Sequence, residues 1–296
     1  MRTFLDEIAQ EIINSKHPFE SVKILVPSRR ASLFLKNALS RQIQKPTFAP
    51  EIVSIENFVE ELAGLKKVLP VDLLFECYAA YCEVTLKNQR DSFDQFLGWA
   101  PVILSDFNEI DAHLVDAKNF FDFQFSLQEM TQWTKSEEQS KIIQNHLTFW
   151  KTMPGLYERL NQRLQQKQQG TLGLIFREAV SNLEFYLNQN DKQHYFVGFN
   201  ALNESEAQII QEFISREKGS VHWDIDQYFY QDKVHAAGKF IRQYQNHWKS
   251  LRSQTISLQE HYIQPKKIEI IGVSKNIAQA KYCLLYTSDA ADDSLR

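Results

Sequence analysis

Four groups of side chains in this chain sit at spacings that could do chemistry. Asp106, Glu109 and Asp111 lie in Ser105-Asp-Phe-Asn-Glu-Ile-Asp111, where Asp106 and Glu109 share a helix face at i, i+3. Such carboxylates can hold a cation or divide acid and base duties, but Phe107 and Ile110 between them equally describe an ordinary solvated helix face. In His222-Trp-Asp-Ile-Asp226, Asp224 and Asp226 point to one side if a strand continues that far, a second arrangement able to bind a metal. A strand end entering solvent is the plainer reading of the same residues. Ser28, Arg29 and Arg30 start a helical pattern, combining N–H groups, the positive end of the dipole and two guanidinium groups, which suits a phosphate. Arg159, Arg163 and Lys167 recur at i, i+4 and i+8 and form a basic stripe, which either follows a nucleic-acid backbone or simply solubilises a helix.

Nucleotide chemistry of the phosphate-loop kind is missing. A phosphate loop needs glycines for close backbone approach, a lysine for charge and Ser or Thr for magnesium. The first glycine is Gly64, and no GxxxxGK[ST] pattern occurs, so ATP binding and hydrolysis of that kind are not expected. HExxH, GxSxG and paired CxxC patterns are absent as well. Cys77 and Cys82 fall in an apolar helical pattern and read as buried thiols.

Composition sets wider limits. A chain of 296 residues with 43% hydrophobic and 24% charged residues can bury a substantial core. Its formal charge of -4 argues against a broad nucleic-acid surface while leaving room for local basic tracks. No run approaches the roughly 20 apolar residues needed to cross a bilayer. Asp6, Glu7 and Glu11 do not suit a secretory signal, so no membrane partner and a cytoplasmic location are expected.

These side chains need a frame. An amphipathic helix bearing Phe4, Leu5, Ile8, Ile12 and Ile13 leads into the buried-strand pattern Val22-Lys-Ile-Leu-Val26. A second helix follows with Ser28 as its N-cap. Ser54 can cap a helix through Leu62, and helical patterns then cover Val71 to Leu86, Trp99 to Leu114, Glu137 to Trp150, Leu156 to Gln168 and Leu172 to Leu187, with no strand between them. Trp99, Trp133 and Trp150 lie in or beside apolar patterns and read as core. Strand patterns return at Tyr195 to Val197, Val221 to Ile225 and Ile268 to Val273, with a helical pattern at Val234 to His247. Asn203 and Glu206 form a capping pair for Glu204 to Ile214. The expectation is an α/β fold, a parallel-sheet domain formed by residues 1–51 and 191–282 and interrupted by an all-helical insertion over 52–190.

The last residues, Cys283-Leu-Leu-Tyr-Thr-Ser-Asp-Ala-Ala-Asp292 onward, resemble the in-frame translation of a transposase sequencing adapter. Residues 283–296 are therefore expected to be a non-native tail, and the authentic reading frame to continue past Tyr282 into a longer protein.

Four elements, taken in order, resemble a known family. Phe196-Val-Gly-Phe-Asn-Ala-Leu-Asn-Glu-Ser-Glu-Ala-Gln208 is similar to the strand and helix that carry an Asp-Glu pair in superfamily 1 helicases of the UvrD and RecB kind, with the acids lost. It is closer to AddB-like proteins of the PD-(D/E)XK nuclease family, in which Gly198, Phe199 and Glu206 sit at the matching positions. Ile24-Leu-Val-Pro-Ser-Arg-Arg-Ala-Ser-Leu-Phe-Leu35 resembles the helicase strand and helix that approach single-stranded DNA. Ile52-Val-Ser-Ile-Glu-Asn-Phe58 and Leu104-Ser-Asp-Phe-Asn-Glu-Ile110 are similar to the two elements that follow. The phosphate-loop strand of that family has no counterpart before Val22.

The resemblance implies a RecA-like domain, incomplete and ATPase-inactive, serving DNA break repair and recombination as a scaffold and guide for single-stranded or duplex-end DNA. It implies a helicase-nuclease partner subunit. Magnesium, and in some relatives an iron-sulfur cluster, would belong to a C-terminal nuclease domain, so no cofactor and no catalytic residue is expected among these residues. A module that holds a helicase partner without touching DNA is the alternative. A third reading is a metal nuclease built on Asp224 and Asp226.

Overall fold

The protein is described by a computed structural model covering residues 3–132, 140–252 and 256–293. Helix α1 (Phe4–Asn14) opens with a capping box between Thr3 and Asp6. Strand β1 (Val22–Val26), helix α2 (Arg29–Gln42), strand β2 (Glu51–Ser54) and helix α3 (Ile55–Ala63) follow. A second run contains β3 (Lys66–Lys67), α4 (Pro70–Val84), α5 (Phe93–Leu97), α6 (Ala100–Ala112), α7 (Ala117–Gln132), α8 (Ser140–Gln166) and β4 (Gln169–Gly170). Then come α9 (Leu172–Gln189), β5 (Gln193–Val197), α10 (Glu204–Ser215), β6 (Gly219–His222), α11 (Gln227–Gln231) and α12 (Lys239–His247). Residues 3–259 form one compact unit, and 260–293 belong to a second that contains α13 (Asn276–Asp293).

Four strands form a wholly parallel sheet in the order β2-β1-β5-β6. Strand β1 is covered on both faces, and its alternation splits its side chains between two layers. Val22, Ile24 and Val26 pack with α1 and α2, whereas Leu25 packs with α3, α9 and α10. This is why the sequence reads as a continuous apolar run. The fold is thus α/β, a partial RecA-like parallel sheet with helices on both faces and further helical parts.

The helical part meets the sheet part along α9 and at the Ser205 hydroxyl of α10, which donates to the Ala112 carbonyl of α6 at 2.8 Å. Strand β3 pairs in parallel with β4, so the chain entering the helices is tied to the chain leaving them. Beyond it, α4, α5, α6, α7 and α8 surround their own core, which contains Cys77, Phe96, Phe107, Met153 and Leu160. Helix α9 starts against α6 at Gly173, whose N–H donates to the Asn108 side chain at 2.7 Å. A Cβ there would lie 2.1 Å from the Asn108 carbonyl oxygen, so no larger residue fits without moving a helix.

Several expectations change. The boundary drawn at residue 51 falls inside β2, which belongs to the sheet, and two short strands bracket the helices where none was expected. The separate helical patterns ending at Trp150 and beginning at Leu156 are one helix, α8, with Pro154 inside it. Pro154 removes one backbone donor, and beside it the Thr152 hydroxyl donates to the Phe149 carbonyl at 2.7 Å. The start expected at Glu137 and the side chain of Trp133 lie outside the described residues. Ile268 to Val273 forms no strand, and Ile268 and Ile270 are 77% and 92% exposed. Apolar β-branched residues specify a face, but a strand also needs a neighbour for its backbone groups, and no other strand lies within that unit's described residues. Helix α13 runs into the residues read as an adapter-derived tail.

Candidate functional site

The carboxyl edge of a parallel sheet is where loops and helix N-termini converge, and ligands favour the point where strand order reverses. Here β1 lies between β2 and β5, so that point falls beside the Pro27-Ser28 turn. The Ser28 hydroxyl accepts the Ala31 N–H at 3.2 Å, which leaves Arg29 and Arg30 in the first turn of α2. Both arginines are exposed. Arg29 donates to the Asn57 side chain at 3.2 Å, and the Asn57 N–H reaches the Ser54 cap hydroxyl at 3.4 Å. The first turns of α2 and α3 are thereby linked above neighbouring strands. Arg30 lies 5.6 Å from the Phe34 ring centre, an aromatic that is 48% exposed. Glu60 is the nearby acid: burial raises its carboxyl, but Lys66, the Lys67 N–H and the charge of Arg29 together hold it below the ordinary range.

On the other side of β1, strand β5 ends at Val197 and is followed by Gly198, whose N–H donates to the His222 carbonyl at 2.9 Å. Its φ of 76° is the left-handed conformation that glycine adopts without strain. Phe199 is buried in the core against Phe196. Glu206 closes a capping box, its carboxylate accepting the Asn203 N–H at 3.0 Å while the Asn203 side chain accepts the Glu206 N–H at 2.8 Å. Burial raises the Glu206 carboxyl against the opposing pull of the Asn203 N–H. These three residues therefore act as turn, core and cap. With a glycine and a phenylalanine at the strand end and the glutamate engaged in capping, the residues present do not fit a magnesium site. Gly198→Ala is expected to cost about 1–2 kcal/mol from the left-handed backbone alone. A urea midpoint unchanged from wild type would remove that account.

The stripe on α8 is not an open basic surface. Arg159 pairs with Glu83 of α4, Arg163 reaches Glu76 at 2.9 Å and Glu83 at 2.5 Å, and Lys167 pairs with Glu76. Burial raises the Glu76 carboxyl, but hydrogen bonds from Lys167 and Arg163 outweigh it and hold the group below its ordinary range. The three cations thus form an interhelix ladder, and meeting a phosphate would first require breaking these pairs.

The carboxylate clusters also separate. Asp106 and Glu109 are exposed and border an apolar cavity of about 440 Å³, where Glu109 lies 3.4 Å from His113. Asp111 turns inward instead, accepting bonds from the Tyr157 hydroxyl and from Arg177 Nε at 2.7 Å. Strand β6 stops at His222, so Asp224 and Asp226 do not project side by side from a continuing strand, and the plainer reading of a strand end holds. Asp226 caps α11 by accepting the Tyr228 N–H at 3.0 Å.

Two groupings escaped the sequence reading. Lys23, in the middle of the sheet and 2% exposed, reaches Glu61 at 2.7 Å and Glu51 at 3.0 Å, with its ammonium 5.1 Å from the Phe58 ring centre. A lysine inside Val-Lys-Ile-Leu-Val was the available signal, because a buried charge needs a partner. The other grouping, Ser220, His222 and Glu11, has no comparable local signal. Compared with known proteins, the chain matches no family model and has no significant match to a curated protein.

Proposed function

We propose that the chain is an ATPase-inactive, helicase-like scaffold that guides single-stranded DNA, the role implied by its resemblance to AddB-like proteins. The observation carrying this reading is the pair of exposed arginines in the first turn of α2, at the switch point of a parallel sheet. Phosphate binding needs only cations, backbone N–H groups and a shaped edge, so it can persist where strand β5 ends without acids. Arg30 beside exposed Phe34 adds a surface on which a base could stack.

The double variant Arg29→Ala/Arg30→Ala is expected to weaken binding of a labelled single strand and to make the salt dependence shallower. Two lost phosphate contacts reduce the log–log slope by about 1.4 for a single strand. Fluorescence anisotropy across a salt series measures both, and wild-type binding that ignores salt, or a variant indistinguishable from wild type, refutes the proposed contact. One observation favours the module that holds a helicase partner without touching DNA: the α4–α8 ion-pair ladder occupies the other cations considered for a DNA path. That reading predicts no salt-dependent binding at all.

A further inference from the structure

We propose that Ser220, His222 and Glu11 form a nucleophile, base and orienting group able to cleave small acyl esters, in the cavity bordered by α1 and β6. Ser220 and His222 are two apart on β6, so their side chains share one face. Ser220 Oγ lies 2.9 Å from His222 Nε2, and His222 Nδ1 lies 3.4 Å from Glu11 Oε2. Tyr195 stacks against the imidazole at 5.5 Å and 16°, fixing the ring plane. All three side chains line one cavity of about 280 Å³, whose walls include Phe4, Ile8, Trp223 and Leu251.

Such a constellation is defined by roles and geometry, not by order along the chain. With Glu11 Oε2 3.4 Å from Nδ1, the carboxylate favours the proton on that nitrogen, and in this tautomer the Nε2 lone pair faces the serine hydroxyl. The hydrogen bond from His222 holds the Glu11 carboxyl below its ordinary range despite partial burial, which keeps it an acceptor. In the reaction, Ser220 Oγ bonds to the ester carbonyl carbon and its proton passes to Nε2. The acyl–oxygen bond then breaks, and the alcohol leaves with the proton from His222. Water, deprotonated by the same nitrogen, attacks the acyl-enzyme, releases the carboxylic acid and restores the serine. A cavity below the roughly 300 Å³ at which drug-sized pockets begin restricts the acyl group to a short chain. The site involves none of the residues assigned to DNA, so either reading can fail without the other.

The test uses the full chain with p-nitrophenyl acetate and a fluorophosphonate probe. Wild type is expected to hydrolyse the ester and to carry one phosphonyl adduct on the peptide containing Ser220. Ser220→Ala is expected to lose the adduct and at least about 100-fold in turnover, with circular dichroism verifying its fold. Glu11→Gln is expected to keep the adduct but form it at least about tenfold more slowly. An unlabelled wild type, an adduct on another residue, or Ser220→Ala turning over like wild type overturns the proposal. The wild-type labelling decides by itself if Ser220→Ala does not fold.

Discussion

Asp111→Ala is expected to destabilise the chain by about 3–5 kcal/mol, the usual result of removing one partner from a buried ionic group. The Asp111 side chain is 1% exposed and accepts bonds from Arg177 Nε and the Tyr157 hydroxyl. Arg177 also donates to the carbonyls of Ile110 at 2.9 Å and Val115 at 2.7 Å, so one guanidinium ties α9 to the end of α6. Burial pushes the carboxyl above the ordinary carboxylate range even though Tyr157 and Arg177 pull it down, so these partners offset only part of the cost of burying the charge. Alanine would leave the guanidinium and the phenol facing an empty site. Measured against a typical domain stability of about 5–15 kcal/mol, the loss is large. Asp111→Asn retains one acceptor and should fall between alanine and wild type. Urea unfolding of the three proteins checks the order, and an alanine variant within about 1 kcal/mol of wild type would show that Asp111 contributes little.

The second large effect is pH-dependent. His194 is fully buried in β5, with Nδ1 facing the Lys192 carbonyl at 2.8 Å and Nε2 facing the Tyr186 hydroxyl at 3.0 Å. This pattern suits a neutral ring that donates at Nδ1 and accepts at Nε2. Burial lowers its pKa from 6.5 to about 4, with the Lys23 charge adding to the effect and hydrogen bonds to backbone opposing it. Below about pH 6.5 the unfolded chain takes up a proton that the folded imidazole refuses until about pH 4. Stability contributed by the neutral ring is therefore complete above that window and lost as pH falls through it, by about 3 kcal/mol. His194→Gln, which cannot titrate, should lose that much less than wild type over the same range. Parallel losses in the two proteins would refute the assignment.

How much of this was legible in the sequence depends on the range of the interactions involved. Caps were legible, since Ser28, Ser54 and the Asn203–Glu206 pair act over three residues and the structure places each where the pattern did. Strand β1 was legible because burial on both faces leaves an apolar run. The basic stripe on α8 was legible as a pattern but not in its use, because its partners Glu76 and Glu83 lie on another helix. Likewise, Gly198 and Phe199 stood out as a departure from an acidic pair, whereas only the φ of 76° and the buried ring explain what they do in this fold.

The sequence by itself thus determined much of the local grammar of the protein: most of its longer helices, the strands β1 and β5, the caps named above, and the absence of a phosphate-loop motif from these residues. Tertiary structure decided partnership. It set Lys23 between two glutamates, turned Asp111 inward while Asp106 and Glu109 stayed exposed, and left Ile268 to Val273 without a strand to join. It also brought Glu11 of α1 to His222 of β6. The physical reason is that backbone propensity and capping act between near neighbours, while the fate of a charge depends on which distant side chain shares its burial.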